Sequence, residues 1–151
     1  MAPEAVKSRY CLPAGMPMPD PARSASFHHG FWEAARRHEL VVQRCRSCAT
    51  FQFGPEEICH HCHGFDLYWD RVEPSGRIYS WERIWHPSFP VLKEACPYLV
   101  VLIELPQAGG TRMMGNLLGD ARRDPPIGGK VDAVFEDHEE GFTLVQWRLT
   151  D

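Results

Sequence analysis

The sequence predicts a mainly β protein: an N-terminal helix, a compact four-cysteine ribbon, and a five-stranded closed barrel of the OB type. Three observations carry this. The stretch CRSCATFQFGPEEICHHC, residues 45–62, places two C-x-x-C pairs ten residues apart and uses four of the six cysteines. Ahead of it, SASFHHGFWEAARRHELVV (24–42) repeats apolar residues at helical spacing. Behind it, five segments rich in β-branched and aromatic residues follow one another over about 80 residues, most of them opening at glycine.

Taken in chain order, residues 1–23 hold five prolines and few large apolar side chains, and read as an extended tail, either disordered or an arm for a partner. In the helical segment Phe27, Phe31 and Ala35 recur at four-residue steps with Trp32 beside them, and Ser24 or Ser26 can cap the start. Two turns of aromatic surface exceed what a small ribbon covers, so Phe27, Phe31 and Trp32 are candidate contacts with another protein as well as with the ribbon itself.

The cysteine window has a chemical reading. A C-x-x-C turn aims two thiolates at one point, and two such knuckles close a tetrahedral shell. Zinc takes four sulfurs at about 2.3 Å, and a full thiolate shell is structural rather than catalytic. Cys45, Cys48, Cys59 and Cys62 are therefore the expected zinc ligands. Iron of the rubredoxin kind shares this spacing, because geometry and ligands overlap. A redox C-x-x-C pair is disfavoured, since no βαβ pattern surrounds it. His60, His61 and His63 interleave with the second knuckle and read as exposed loop residues. Ala49 and His63 stand directly after the second cysteine of each knuckle, where glycine is common. A left-handed backbone there costs a non-glycine residue about 1 kcal/mol, which metal bonds can outweigh.

After the ribbon, GRIYSWERIW (76–85) alternates, with Tyr79, Trp81 and Trp85 expected on one face and Ile78 and Ile84 on the other. PYLVVLIEL (97–105) is a continuous apolar run suited to a buried strand. GTRMMGNLL (110–118), GKVDAVFED (129–137) and GFTLVQWRL (141–149) complete the set. The long connection 86–97 falls where OB barrels carry a ligand-contacting loop. The domain reading is thus a 1–23 tail, a 24–69 helix and ribbon, and a 70–151 barrel.

Composition narrows the function. The chain of 151 residues is 44% hydrophobic and 24% charged, an ordinary globular balance. No apolar run reaches the roughly 18 residues of a membrane span. The N-terminus lacks the basic-then-apolar order of a secretory signal, so a cytoplasmic location with reduced thiols is expected. There is no G-x-S-x-G, H-E-x-x-H or Gly-rich phosphate loop. Cys11 and Cys96 read as incidental or structural thiols rather than nucleophiles. Nucleic-acid binding is the runner-up, with Tyr79, Trp81 and Trp85 beside Arg77 and Arg83 as a stacking face. Charge opposes it: residues 70–151 hold nine basic against thirteen acidic side chains, while 1–69 balance at seven each. A small electron carrier would leave the barrel idle.

In order along residues 27–149, FWEAA, LVVQRCRSC, CHHC, SGRIYSWERIW, PYLVVLIEL, GNLLGD and IGGKVDAVFE together resemble the acyl-CoA-associated zinc-ribbon/OB-fold proteins, a family long filed as a domain of unknown function. The chain departs from the pattern before ELVV, where the usual glycine is missing, in knuckles without CG, and at Trp147, where phenylalanine is common. The resemblance implies a rubredoxin-like ribbon, an OB barrel, and assembly with a thiolase-like protein (thiolase, acyltransferase or retro-aldolase) acting on acyl-CoA. It further implies that the partner supplies the reactive cysteine and histidines, while this chain supports it. Candidate contacts to the phosphates of CoA are Lys93 in the 86–97 loop and Arg83 and Arg112 on strands, with Phe89, Val91 and Leu92 available to line the pantetheine arm or to fold the loop back.

Overall fold

A computed structural model describes residues 26–150; the tail 1–23, Cys11 and the capping candidate Ser24 lie outside the described residues. Helix α1, Ser26–Arg36, buries Ala34 and Ala35 and turns Arg36 outward. It stops earlier than the sequence reading of 24–42. His38 takes a left-handed conformation (φ 58), and the amides of His38 and Glu39 donate back to Ala35 and Ala34. That reversal caps the helix and frees β-branched Val41 and Val42 for a strand, where branching at Cβ is favoured.

The ribbon is a three-stranded antiparallel sheet in the order β2–β1–β3, with β1 Val41–Cys45, β2 Phe51–Gln52 and β3 Leu67–Arg71. Five further strands follow: β4 Ser75–Ile84, β5 Tyr98–Leu105, β6 Thr111–Leu117, β7 Lys130–Asp137 and β8 Thr143–Leu149. They close into a barrel in the order β4–β5–β6–β8–β7, all antiparallel except the β6–β8 seam, which pairs in parallel at Leu117 and Trp147. The fold class is the expected one: mainly β, one helix, a zinc ribbon and a five-stranded OB barrel.

The apolar run of β5 sits between β4 and β6 and alternates after all: Leu99, Val101, Ile103 and Leu105 point inward, and the residues between them are half-buried. Trp147 fills the barrel from β8 and is fully buried, directly over the missing side chain of Gly115. Helix, ribbon and barrel share one core, because Ala35, Leu40, Val42 and Val72 pack in the same cluster as Ile103, Val131 and Trp147. Polar ties reinforce the joint. The Gln107 side-chain amide donates to the carbonyls of Glu73 and Ser75 at 2.7 and 2.8 Å. His38 bonds the Asp137 carboxylate at 3.0 Å while its ring stacks on Phe135. Asp137 is held below the usual carboxylate range by the Thr143 hydroxyl and then by His38.

One expected alternation fails. The register of β4 on β5 slips between Ile78 and Ser80, and this bulge turns Trp81 toward the core while Tyr79 and Trp85 stay exposed. A one-residue insertion exchanges the faces of every later side chain, so Tyr79 parts from Trp81 and Trp85, which both lie near Arg83. The 86–97 connection carries a short 3-10 turn, Pro90–Ala95, which folds Leu92 into the protein and leaves Phe89 and Lys93 outside. Among the described residues no helix is long and apolar enough to cross a membrane.

Gly76 marks the tightest strand approach. A Cβ there would strike the Ile103 side chain and stand 2.7 Å from the Glu104 carbonyl. Both belong to the central strand and have nowhere to move. Gly76→Ala should therefore cost about 1–3 kcal/mol of stability, the usual range for overpacking, read as a lowered midpoint in urea; an unchanged midpoint would show that β4 and β5 separate more easily than this packing allows.

Candidate metal centre

The sulfur atoms of Cys45, Cys48, Cys59 and Cys62 lie within 4.8 Å of one another. Two contacts are shorter, Cys45 to Cys62 and Cys48 to Cys59, each 3.6 Å, and each joins one knuckle to the other. A tetrahedral shell with metal–sulfur bonds of about 2.3 Å has edges of about 3.8 Å, so the arrangement fits a four-thiolate metal. The centre closes β1 and β2 at one end against the loop that leads to β3.

The two knuckles repeat one backbone pattern. In the first, the Ala49 amide donates to the Cys45 carbonyl and the Cys45 amide to Thr50, both at 2.9 Å. In the second, His63 donates to Cys59 at 3.0 Å and Cys59 to Gly64 at 2.9 Å. Ala49 and His63 both take positive φ, 62 and 58, at the positions where the sequence reading placed left-handed backbone. His60, His61 and His63 are exposed and stand apart from the four-sulfur group.

Thiol acidity follows the local donors. The Thr50 hydroxyl, 3.3 Å from Cys48, and then its backbone amide bring the Cys48 thiol down to about 5. The Cys45 thiol is lowered chiefly by the Cys48 amide. The Gly64 amide also favours a thiolate at Cys62, yet the crowded sulfurs of Cys48 and Cys45 push that thiol up to about 12. Negative charge thus accumulates until a further ionisation becomes unfavourable. A cation at the centre removes that obstacle and displaces the remaining protons.

A second set of residues holds the spacer between the knuckles, and sequence reasoning missed it. Gln43 and Gln52 are both buried and paired across β1 and β2, with the Gln52 amide donating to the Gln43 carbonyl at 3.1 Å. Gln43 also bonds both backbone groups of Glu56, while Gln52 bonds the Ile58 carbonyl and the His60 amide. Two side chains thereby satisfy four backbone groups of a turn that lacks regular structure. The available signal was two glutamines inside otherwise strand-like sequence.

The other candidate residues separate. Phe31 faces Trp32, Phe53 and Trp69 at 5.2, 5.7 and 6.2 Å and packs on the core, so it serves the ribbon. Trp32 is half-buried on the wall of an apolar groove with Phe53, Pro55 and Met114. Phe27 stacks on His28 at 4.3 Å. Arg83 is tied to the Ala121 carbonyl and to Asp124, both at 2.7 Å. The Arg112 guanidinium carbon lies over the Tyr79 ring, 3.6 Å from its centroid. Arg83 pairs with Leu99 and Arg112 with Glu104, five residues apart on β5 or about 17 Å, so the two cannot serve one phosphate. Lys93 is exposed on the 3-10 turn, and Cys96 is a half-buried thiol outside the four-sulfur group.

Comparison with known proteins agrees with this geometry. Two family models match in succession: "ChsH2, rubredoxin-like zinc ribbon domain" over residues 32–67 and "ChsH2, C-terminal OB-fold domain" over 69–136. A curated relative from Thermomonospora curvata, "Probable enoyl-CoA hydratase alpha subunit", is 38% identical over 123 residues, 80% of this chain and 37% of that protein. The chain therefore spans little more than a third of that relative. Among solved structures, one described as "Ltp2-ChsH2(DUF35) aldolase" aligns with a TM-score of 0.73 and 32% identity, covering 84% of this chain and 97% of the other. A protein of unknown function from the DUF35 family of Sulfolobus solfataricus has the same fold, with a TM-score of 0.61, 14% identity, and 84% and 87% coverage.

The left-handed knuckle residues give a direct test. Ala49→Gly removes the Cβ penalty at φ 62 and should stabilise the metal-loaded ribbon by about 1 kcal/mol, measured as a raised unfolding midpoint. A lower midpoint would mean that the alanine side chain contributes packing that outweighs its backbone strain.

Proposed function

We propose, since the chain belongs to the ChsH2 (DUF35) family of zinc-ribbon and OB-fold proteins, that it is a non-catalytic subunit of a thiolase-type complex acting on acyl-CoA. The observation that carries the reading is the near-complete overlap, 97% at 32% identity, with a chain of a structure described as an Ltp2–ChsH2 aldolase. The enoyl-CoA wording in the name of the Thermomonospora curvata relative supports a CoA thioester as the substrate class. In this reading zinc fills the four-thiolate centre and staples the ribbon. A complete sulfur shell leaves no open position for activating water, so bond-making groups belong to the partner. The chain contributes a rigid docking surface and contacts to the CoA part of the substrate.

The docking surface centres on Trp32 and Phe27, because Phe31 is already committed to Phe53 and Trp69. Of the three basic candidates for CoA, Arg83 anchors the 120–124 turn through Ala121 and Asp124, whereas Lys93 and Arg112 keep a free approach from solvent.

Two measurements test this reading. Metal analysis of the purified chain should find one zinc per chain, lost when Cys45 and Cys59 are both changed to serine; full zinc in that double variant would refute the ligand set. Copurification from the native host should bring down a thiolase-like protein, and Trp32→Ala with Phe27→Ala should weaken that complex by about 2 kcal/mol or more on a sizing column while zinc content stays at the wild-type level. A complex of undiminished affinity would move the interface off the helix.

A further inference from the structure

An open cavity of about 600 Å³ lies at the junction of ribbon and barrel. Its walls are Phe51 and Phe53 from around β2, His60 from the second knuckle, and the Gly109–Gly110 turn leading into Thr111 and Arg112. Both glycines have positive φ, 64 and 76, so the turn between β5 and β6 is fixed in a shape that other residues resist. Among the described residues no carboxylate lines the cavity, although the barrel half of the chain is acidic overall.

Arg112 is prepared for an anion. Its guanidinium carbon lies over the Tyr79 ring, 3.6 Å from the centroid, a cation–π contact that restrains the side chain while leaving its N–H donors available. Glu104 stands opposite in the β5–β6 register, yet among the described residues no carboxylate or carbonyl engages Arg112. Arg83 shows the contrast, with its donors spent on Ala121 and Asp124. A guanidinium held over an aromatic ring, with no carboxylate or carbonyl partner among the described residues, can donate its planar fork of N–H groups to two phosphate oxygens.

We propose that this ribbon–barrel cavity binds a phosphate-bearing nucleotide group, with Arg112 clamping the phosphate and the aromatic wall of Phe51 and Phe53 against the base. Resting on the acyl-CoA reading above, that group is the nucleotide end of the CoA substrate. The volume favours a nucleotide over the carboxylate of a docking protein, since small-molecule sites occupy about 300–1,000 Å³ while a single ion pair needs no cavity. The placement differs from the 86–97 loop: Arg112 stands at the ribbon end of the barrel, and Lys93 lies in the connection beyond the opposite end of β4.

The test uses the zinc-loaded full chain, isotopically labelled, titrated with adenosine 3′,5′-bisphosphate, and separately with adenosine and with inorganic phosphate. Amide shifts should move together at Phe51–Phe53, His60 and Gly109–Arg112, and binding should weaken with salt. Arg112→Gln should reduce affinity roughly tenfold or more, the usual effect of losing a charge-assisted hydrogen bond. Tyr79→Leu, which removes only the stacking platform, should also weaken binding, and Arg123→Gln on a different surface should leave it unchanged. Equal affinity for inorganic phosphate and the bisphosphate would refute the nucleotide assignment. Absent or scattered shifts, or an Arg112→Gln chain that binds as the wild type does, would overturn the site itself. Because the readout needs no partner, its failure is separable from failure of the subunit assignment: an Arg112→Gln chain that still copurifies with the partner keeps the latter intact.

Discussion

The four-sulfur centre is the constraint on which the ribbon depends. A three-stranded sheet whose outer strand is the two-residue Phe51–Gln52 has too few ladder bonds to stand alone. The cysteines join its two hairpin-like turns across 3.6 Å contacts, and the Gln43–Gln52 pair then fixes the spacer between them. Thiolates crowded this closely repel one another, as the raised Cys62 thiol records. The same crowding that opposes the metal-free thiolate state would favour a divalent cation, and binding one there would be coupled to folding of the ribbon.

That local staple reaches the rest of the molecule through packing. Val42 lies on the strand that delivers Cys45, and it is buried in the same cluster as barrel residues Ile103 and Trp147. Leu40 accepts a backbone bond from Val72, tying the strand entering the ribbon to the chain leaving it. Distortion of the knuckles would therefore be felt in the barrel core, where side chains are packed too densely to absorb it. Ribbon and barrel are two family modules by sequence and one mechanical body by packing.

Legibility in the sequence tracked how local the cause was. The metal knuckles were readable because spacing alone brings the ligands together, and even the strained backbone at Ala49 and His63 followed from the position after each pair. The barrel strands were readable from glycine punctuation and β-branched runs. The helix end was not, since a left-handed histidine at 38 carries no glycine or asparagine signal. The face of Trp81 was not, because a bulge adds a residue without changing composition. Gln43 and Gln52 look like surface residues until their partners, six to thirteen positions away, are known. The neighbours of Arg83 and Phe31 were not legible for one reason: Asp124, Phe53 and Trp69 are distant in sequence, and an arginine's or aromatic's surroundings depend on tertiary structure alone.

Function in such a chain is a matter of what remains unspent. The barrel carries excess acid, yet its basic groups are not equivalent: Arg83 is consumed by its own fold, while Arg112 is oriented by an aromatic ring and left without a counter-charge among the described residues. The ring contact restrains the arginine without neutralising it, so the side chain gives up rotamer freedom for a cation–π contact alone. The same logic applies to Trp32 and Met114, apolar side chains left on a groove where helix, ribbon and barrel meet. A ribbon and barrel that share one core offer such groups at little further entropic cost on association.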